Sequence, residues 1–155
     1  MSEPSKPNLI VRIPTPLWLI GLVLVALGVD RLVDTGIAPR HWPTGVGIIA
    51  VGLALSAWGR LTFAAARAEI KPFAVSNPRL VTHGPFRFTR NPMYLGITII
   101  GIGAAVAAGT LWMWAVPIVL FALDHFVIIP FEERNMERQF GAAFRDYCAE
   151  VRRWI

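Results

Sequence analysis

The sequence predicts an all-α integral membrane bundle of about four transmembrane helices, followed by a C-terminal amphipathic cytoplasmic helix. Three observations carry that prediction. The 155 residues are 55% hydrophobic and only 16% charged, whereas a soluble domain has roughly a quarter of its residues charged. Four apolar segments, 17–33, 43–63, 93–108 and 111–129, approach the roughly 20 residues a helix needs to cross hydrocarbon. The charges are also segregated: residues 60–90 hold six Lys and Arg against one acid, Glu69, and no charge follows until Asp124. The length fits one domain, 1–155.

The elements follow in order. Residues 1–16, with Pro4, Pro7, Pro14 and Pro16, read as an irregular lead, and the span behind it lacks a small-residue cleavage site, so it is expected to be retained. The first span is short. The second opens at Pro43, and its Gly52 and Ser56, four apart, suit close helix packing. Residues 60–92 form a basic connector that ends at Pro92, which opens the third span at no hydrogen-bond cost. Gly109 and Thr110 leave almost no link to the fourth span, which predicts a tight helical hairpin. Pro117 predicts a kink within that last span.

Beyond it, residues 131–155 place Met136, Phe140, Ala143, Phe144, Tyr147, Val151 and Trp154 at spacings of three and four, the apolar face of an amphipathic helix. Five acids and five arginines occupy the other face. Such a helix lies along the membrane or folds back over the connector. Thirteen Lys and Arg fall on the side of the termini and connector, and only Arg31 and Arg40 on the other. The positive-inside rule then puts both termini and the connector in the cytoplasm of a multi-pass protein of the inner or cell membrane.

The charge of +5 does not point to nucleic acid, because the basic residues flank apolar spans instead of covering a polar surface. Anionic headgroups, or the carboxylate or phosphate of a cofactor, are the expected partners; the oligomeric state is left open. One cysteine, Cys148, excludes an internal disulfide and a cysteine-rich metal site. His41, His83 and His125 lack metal-ligand spacing, so no metal is expected. Gly101, Gly103 and Gly109 loosely match a dinucleotide loop, but in an apolar span with no strand before it. No serine, histidine and acid arrangement or Walker loop is present.

Several polar residues stand where chemistry is possible. Glu132 and Glu133 follow Pro130 as the chain leaves the membrane: they suit the positive end of a helix dipole, and equally a bound cation or ribose diol. Asp124 and His125 lie inside the fourth span, about 8 Å below its cytoplasmic end by the helical rise. Ionisable groups there face a bundle interior or a cavity. They fit a substrate pocket, or a packing role in which Asp124 pairs with an arginine of the connector. In the connector Gly84 and Pro85 specify a turn, Phe86, Phe88 and Tyr94 offer flat surfaces, and Arg87 and Arg90 offer forked donors to an anion. The same mixture also serves plain interfacial anchoring.

Residues 80–96, LVTHGPFRFTRNPMYLG, then the hairpin, then Glu132 and Glu133, then FGAAFRDY leading to VRRWI resemble a superfamily of small membrane methyltransferases. It includes the isoprenylcysteine carboxyl methyltransferases and the phospholipid N-methyltransferases. The blocks stand in that family's order, from about Trp58 to the C-terminus. The resemblance implies an S-adenosylmethionine-dependent methyltransferase that modifies a lipid-like or apolar acceptor: a prenylcysteine-type carboxylate, a phospholipid amine or a hydrophobic thiol. By position it assigns the cofactor to Leu80, Val81, Phe86, Asn91, Pro92, Met93, Tyr94 and Glu132, with Glu133 as a second carboxylate. It names no catalytic residue. Asn91 replaces a family histidine, and Phe86 a frequent tyrosine. Two other readings remain: a nicotinamide-dependent membrane reductase sharing the C-terminal architecture, and a noncatalytic membrane scaffold.

Overall fold

The computed structural model describes residues 9–33, 40–66 and 80–155. The first half of the proline-rich lead, and connector residues 67–79 with Arg67, Lys71 and Arg79, lie outside them. The described chain is helical, without a β-strand. A short α1 (Leu9–Arg12) leads into α2 (Thr15–Leu32) and α3 (Trp42–Ala65). A 3-10 turn, Gly84–Arg87, precedes α4 (Pro92–Ala108). Then come α5 (Leu111–Leu123), a π-helical segment (Asp124–Ile128), α6 (Ile129–Phe140) and α7 (Ala142–Glu150). α5, the π segment and α6 form one continuous rod of 30 residues. That rod, α2 and α3 are long and apolar enough to span a membrane, and α4, at 17 residues, is a shorter apolar helix.

The bundle closes through small residues. Gly45, Gly52 and Gly59, seven apart on α3, face Gly103, Gly96 and Met93 on antiparallel α4. A Cβ on Gly52 would stand 2.6 Å from the Gly96 carbonyl, and one on Gly103 2.7 Å from the Gly45 carbonyl. The two backbones therefore touch, which is how helices associate where lipid removes the hydrophobic drive between them. Ser56 adds a hydrogen bond to the Met93 carbonyl at 3.3 Å. On the other side of α4, Ile97 and Ala105 pack with Met113, Val116 and Leu120 of α5 and Ala26 of α2. Leu17, Leu24, Val25, Leu61, Ile118 and Phe126 remain exposed; in a bilayer they form the wall against the acyl chains.

The α4–α5 hairpin turns as expected, with Gly109 in the left-handed region (φ 68°) donating to Ala105. α5 runs on through Pro117, which packs against Gly101, and the hydrogen-bond register changes further along. Pro130 has no N–H to offer the Phe126 carbonyl, and just before it the ladder widens: Ile129 donates to Asp124, five residues back. A π segment of this kind rotates the side chains it carries relative to the helix on either side.

The tail differs from the single helix expected over 131–155. Gly141 adopts φ 54°, ψ −120°, a conformation open to glycine and strained for other residues, and the chain reverses into α7. Phe144 and Tyr147 are thereby buried against Val81 and Phe86, with Met136, Phe140 and Val151 around them. The predicted apolar face thus folds back onto the connector. Two of its members behave otherwise: Ala143 is exposed, and Trp154 packs on Phe121, ring centres 4.9 Å apart.

Candidate active site at the polar end of the bundle

The start of α4 and the C-terminus are laced together by hydrogen bonds. Thr89 donates to the Arg153 carbonyl (3.1 Å) and accepts from the Asn91 backbone N–H (3.1 Å). The Arg90 backbone N–H donates to the Arg152 carbonyl (3.0 Å), and the Asn91 amide to the Arg153 carbonyl (2.9 Å). The Arg90 guanidinium reaches the carbonyls of Cys148 (3.1 Å) and Val151 (3.0 Å) and Oε1 of Glu133 (2.8 Å). Arg153 holds Glu133 from the other side through both carboxylate oxygens. Glu133 is thus a carboxylate shared by two forked donors, and the donors that sequence offered to an anion at Arg90 are largely engaged within the chain. Arg87 stays exposed and lines a groove of about 490 Å³ with Thr82, Asp146, Tyr147 and Glu150.

Beneath this lacing, Tyr147 donates to the Phe86 carbonyl at 2.7 Å. Burial pushes its phenol well above the usual range, so it remains a donor at any workable pH. Burial likewise raises the Cys148 thiol. Phe63 meets Phe86 edge-on at 4.9 Å.

One turn into α4, Tyr94 donates to Oε1 of Glu132 at 2.6 Å. Asp124 and Thr15 lie close to its phenol. Asp124 is fully buried; its Oδ1 accepts from the Thr15 hydroxyl at 3.4 Å, and its Oδ2 has no partner. Among the described residues, then, Asp124 meets Thr15 of α2; Arg67 and Arg79, two of the connector arginines considered as its partner, lie outside them. His125, next to it, accepts from the Trp154 indole at 2.9 Å and stacks on Phe121. No group of three His, Cys, Asp or Glu stands together as a metal site among the described residues.

The site residues expected from sequence fall into four neighbouring sets. Leu80, Val81 and Phe86 form an apolar wall under α7. Asn91 and Glu133 belong to the lacing, while Tyr94 and Glu132 pair inside the bundle. Pro92 and Met93 open α4, turned toward Gly59 of α3. A protein-family model described as phospholipid methyltransferase matches residues 41–143, well over half of the chain. The chain belongs to the phospholipid methyltransferase family. Neither the curated proteins nor the solved structures compared with it give a match.

Membership makes the chain a membrane methyltransferase acting on lipid-like substrates. In this phospholipid methyltransferase family member the matched span runs from the residue before α3 into the first turn of α7. It contains Arg90, Asn91, Tyr94, Asp124, Glu132 and Glu133. Thr15, Arg153 and Trp154, which complete their contacts, lie outside it. Sequence reasoning missed Thr15 and Thr89 altogether, because a threonine beside a proline or an arginine carries no signal of a partner 109 or 64 residues away. Arg153 was visible only as part of a terminal motif.

Proposed function

We propose that the chain is an S-adenosylmethionine-dependent methyltransferase that works at the polar end of the bundle on the headgroup of a lipid-like acceptor. The observation that carries this reading is the Tyr94–Glu132 pair, a carboxylate and a phenol held 2.6 Å apart inside an apolar bundle. A carboxylate in such surroundings complements a sulfonium or a ribose hydroxyl far better than it would in water. Arg87, exposed on the connector at the same end of the chain, suits a carboxylate. On these grounds the residues present fit the cofactor.

In this reading Leu80, Val81, Phe86, Asn91, Pro92, Met93, Tyr94 and Glu132 line the cofactor's side of the site. Glu133 keeps that side closed by fixing Arg90 and Arg153. The bound cofactor supplies an electrophilic methyl group. What the chain must add is position and dryness, since an in-line displacement gains most from an aligned nucleophile and a water-poor site. The lacing of the C-terminus onto α4 supplies the closure on the polar side, and the apolar wall of α2 and α5 admits the acceptor from the bilayer. The excess of arginine and lysine at this end supports a cytoplasmic location for it by the positive-inside rule, on the side where the cofactor is found.

The test is binding of S-adenosylhomocysteine to the purified full chain in detergent, by calorimetry. Glu132→Ala is expected to weaken it at least tenfold. Affinity unchanged in Glu132→Ala and Tyr94→Phe together would sink the proposed site, and binding of NADPH in place of S-adenosylhomocysteine would replace this reading with the reductase.

A further inference from the structure

Two carboxylates at this end of the bundle receive opposite treatment. Glu133 is held by two guanidinium groups. Asp124, buried completely, has one long hydrogen bond from Thr15 and a bare Oδ2. An unpaired polar atom in an apolar interior costs stability, and an ionisable one costs more. An asparagine or leucine at this place would serve packing better. The backbone around it is irregular as well: Asp124 opens the π segment, which sets its side chain apart from the regular faces of α5 and α6.

Resting on the methyl-transfer reading above, we propose that Asp124 is the catalytic base of the reaction, its free Oδ2 receiving a proton from the amine of the acceptor's headgroup, with Thr15 as the positioning residue. The groups around it decide the chemistry of that acceptor. From α2 it faces the uncharged Thr15, and Glu132 of α6 and Tyr94 of α4, hydrogen-bonded to each other, lie near it. His125, on its own helix, has Nδ1 engaged by Trp154. No cation answers Asp124 among the described residues, whereas Arg90 and Arg153 are committed to Glu133. A carboxylate acceptor would meet two carboxyl groups and, among the described residues, no cation. An ammonium group would meet its complement.

The step balances. The headgroup arrives as R–NH3+ and passes one proton to Asp124, leaving R–NH2 with its lone pair free. That pair attacks the sulfonium-bound methyl carbon; the C–N bond forms, the C–S bond breaks, and the pair of the broken bond stays on sulfur. The products are R–NH2–CH3+ and S-adenosylhomocysteine, and Asp124 releases its proton to solvent, one per turnover. An amine needs this help because it is protonated at neutral pH, while a carboxylate acceptor does not.

The experiment uses the full chain in mixed micelles, with phosphatidylethanolamine and a long-chain alkylamine as amine probes and N-acetyl-S-farnesylcysteine, whose amine is blocked, as a carboxylate probe. Wild type is expected to methylate an amine and not the carboxylate. Asp124→Asn is expected to bind S-adenosylhomocysteine within about twofold of wild type and to lose about 100-fold or more in transfer. It should also lose the rising limb of the kcat/KM pH profile and melt no lower than wild type. Asp124→Glu, which keeps a carboxylate, should restore part of the rate with the limb displaced.

Wild-type rate in Asp124→Asn, or a loss that only follows a lowered melting temperature, overturns the assignment. So does transfer to N-acetyl-S-farnesylcysteine as fast as to either amine, or no transfer to an amine at all. If Asp124→Asn does not fold, an unmoved limb in Asp124→Glu overturns it equally. A wild type that binds no S-adenosylhomocysteine brings down the methyl-transfer reading itself; one that binds it while Asp124→Asn keeps its rate brings down this assignment alone.

Discussion

Asn91 stands where the resemblance drawn from sequence leads one to expect a histidine, and the structure gives it a definite task. Its amide donates to the Arg153 carbonyl, a bond that a histidine N–H can also make. Asn91→His is therefore expected to leave stability within about 0.5 kcal/mol, and Asn91→Ala to lose about 1 kcal/mol, the usual worth of one such bond. Thermal unfolding in detergent separates the two. Glu133 carries more. With side chains 14% to 30% exposed in its two ion pairs, removing it strands two partly buried guanidinium groups. Glu133→Ala should cost about 2 to 3 kcal/mol, and the C-terminal residues should become open to carboxypeptidase. Unchanged protease resistance would show that the lacing does not depend on this carboxylate.

At the scale of elements, the α3–α4 seam and the tail reversal each hang on glycine. Gly52→Leu drives a side chain into the Gly96 carbonyl and Ile100 and is expected to cost more than about 3 kcal/mol, beyond ordinary overpacking, because the obstacle is backbone. Gly47 sits on the same helix with nothing within 4 Å of a Cβ, so Gly47→Ala should stabilise by up to about 1 kcal/mol through helix propensity. The contrast, read as melting temperatures of the two variants, tests the seam directly. Gly141→Ala forces a Cβ onto φ 54°, a strain of about 1 to 3 kcal/mol. Its effect should fall on α7, seen as faster amide exchange there while α3 and α4 stay protected.

The whole molecule is asymmetric along its long direction, with the lacing, the carboxylates of Asp124, Glu132 and Glu133 and the tail helices at one end. Arg40 and His41 meet Ala107 and Val106 at the other. Single cysteines at Thr44 and Arg138, both exposed, in a Cys148→Ser background should react with a membrane-impermeant thiol reagent from opposite sides, Arg138→Cys from the cytoplasm. Labelling of both from one side would refute the orientation. In the native chain Cys148 should react slowly near neutral pH, because burial raises its thiol and only the thiolate attacks. The rate should climb as pH rises past the ordinary thiol range of about 8.5.

Much of this was legible beforehand. The spans, the hairpin at Gly109 and the apolar face of the tail announce themselves through composition and period, because burial in lipid or under a neighbouring element is imposed residue by residue along the chain. The π segment and the reversal at Gly141 were not, since each interrupts a period that continues on both sides of it. What only the tertiary structure decided was the choice of polar partners: Glu133 with Arg90 and Arg153, Asn91 with the last turn of chain, Asp124 with Thr15. A hydrogen bond or ion pair is set by where two distant helices bring their side chains. That placement follows from the close packing of α3 on α4 and of α2 on α5, which no local pattern encodes.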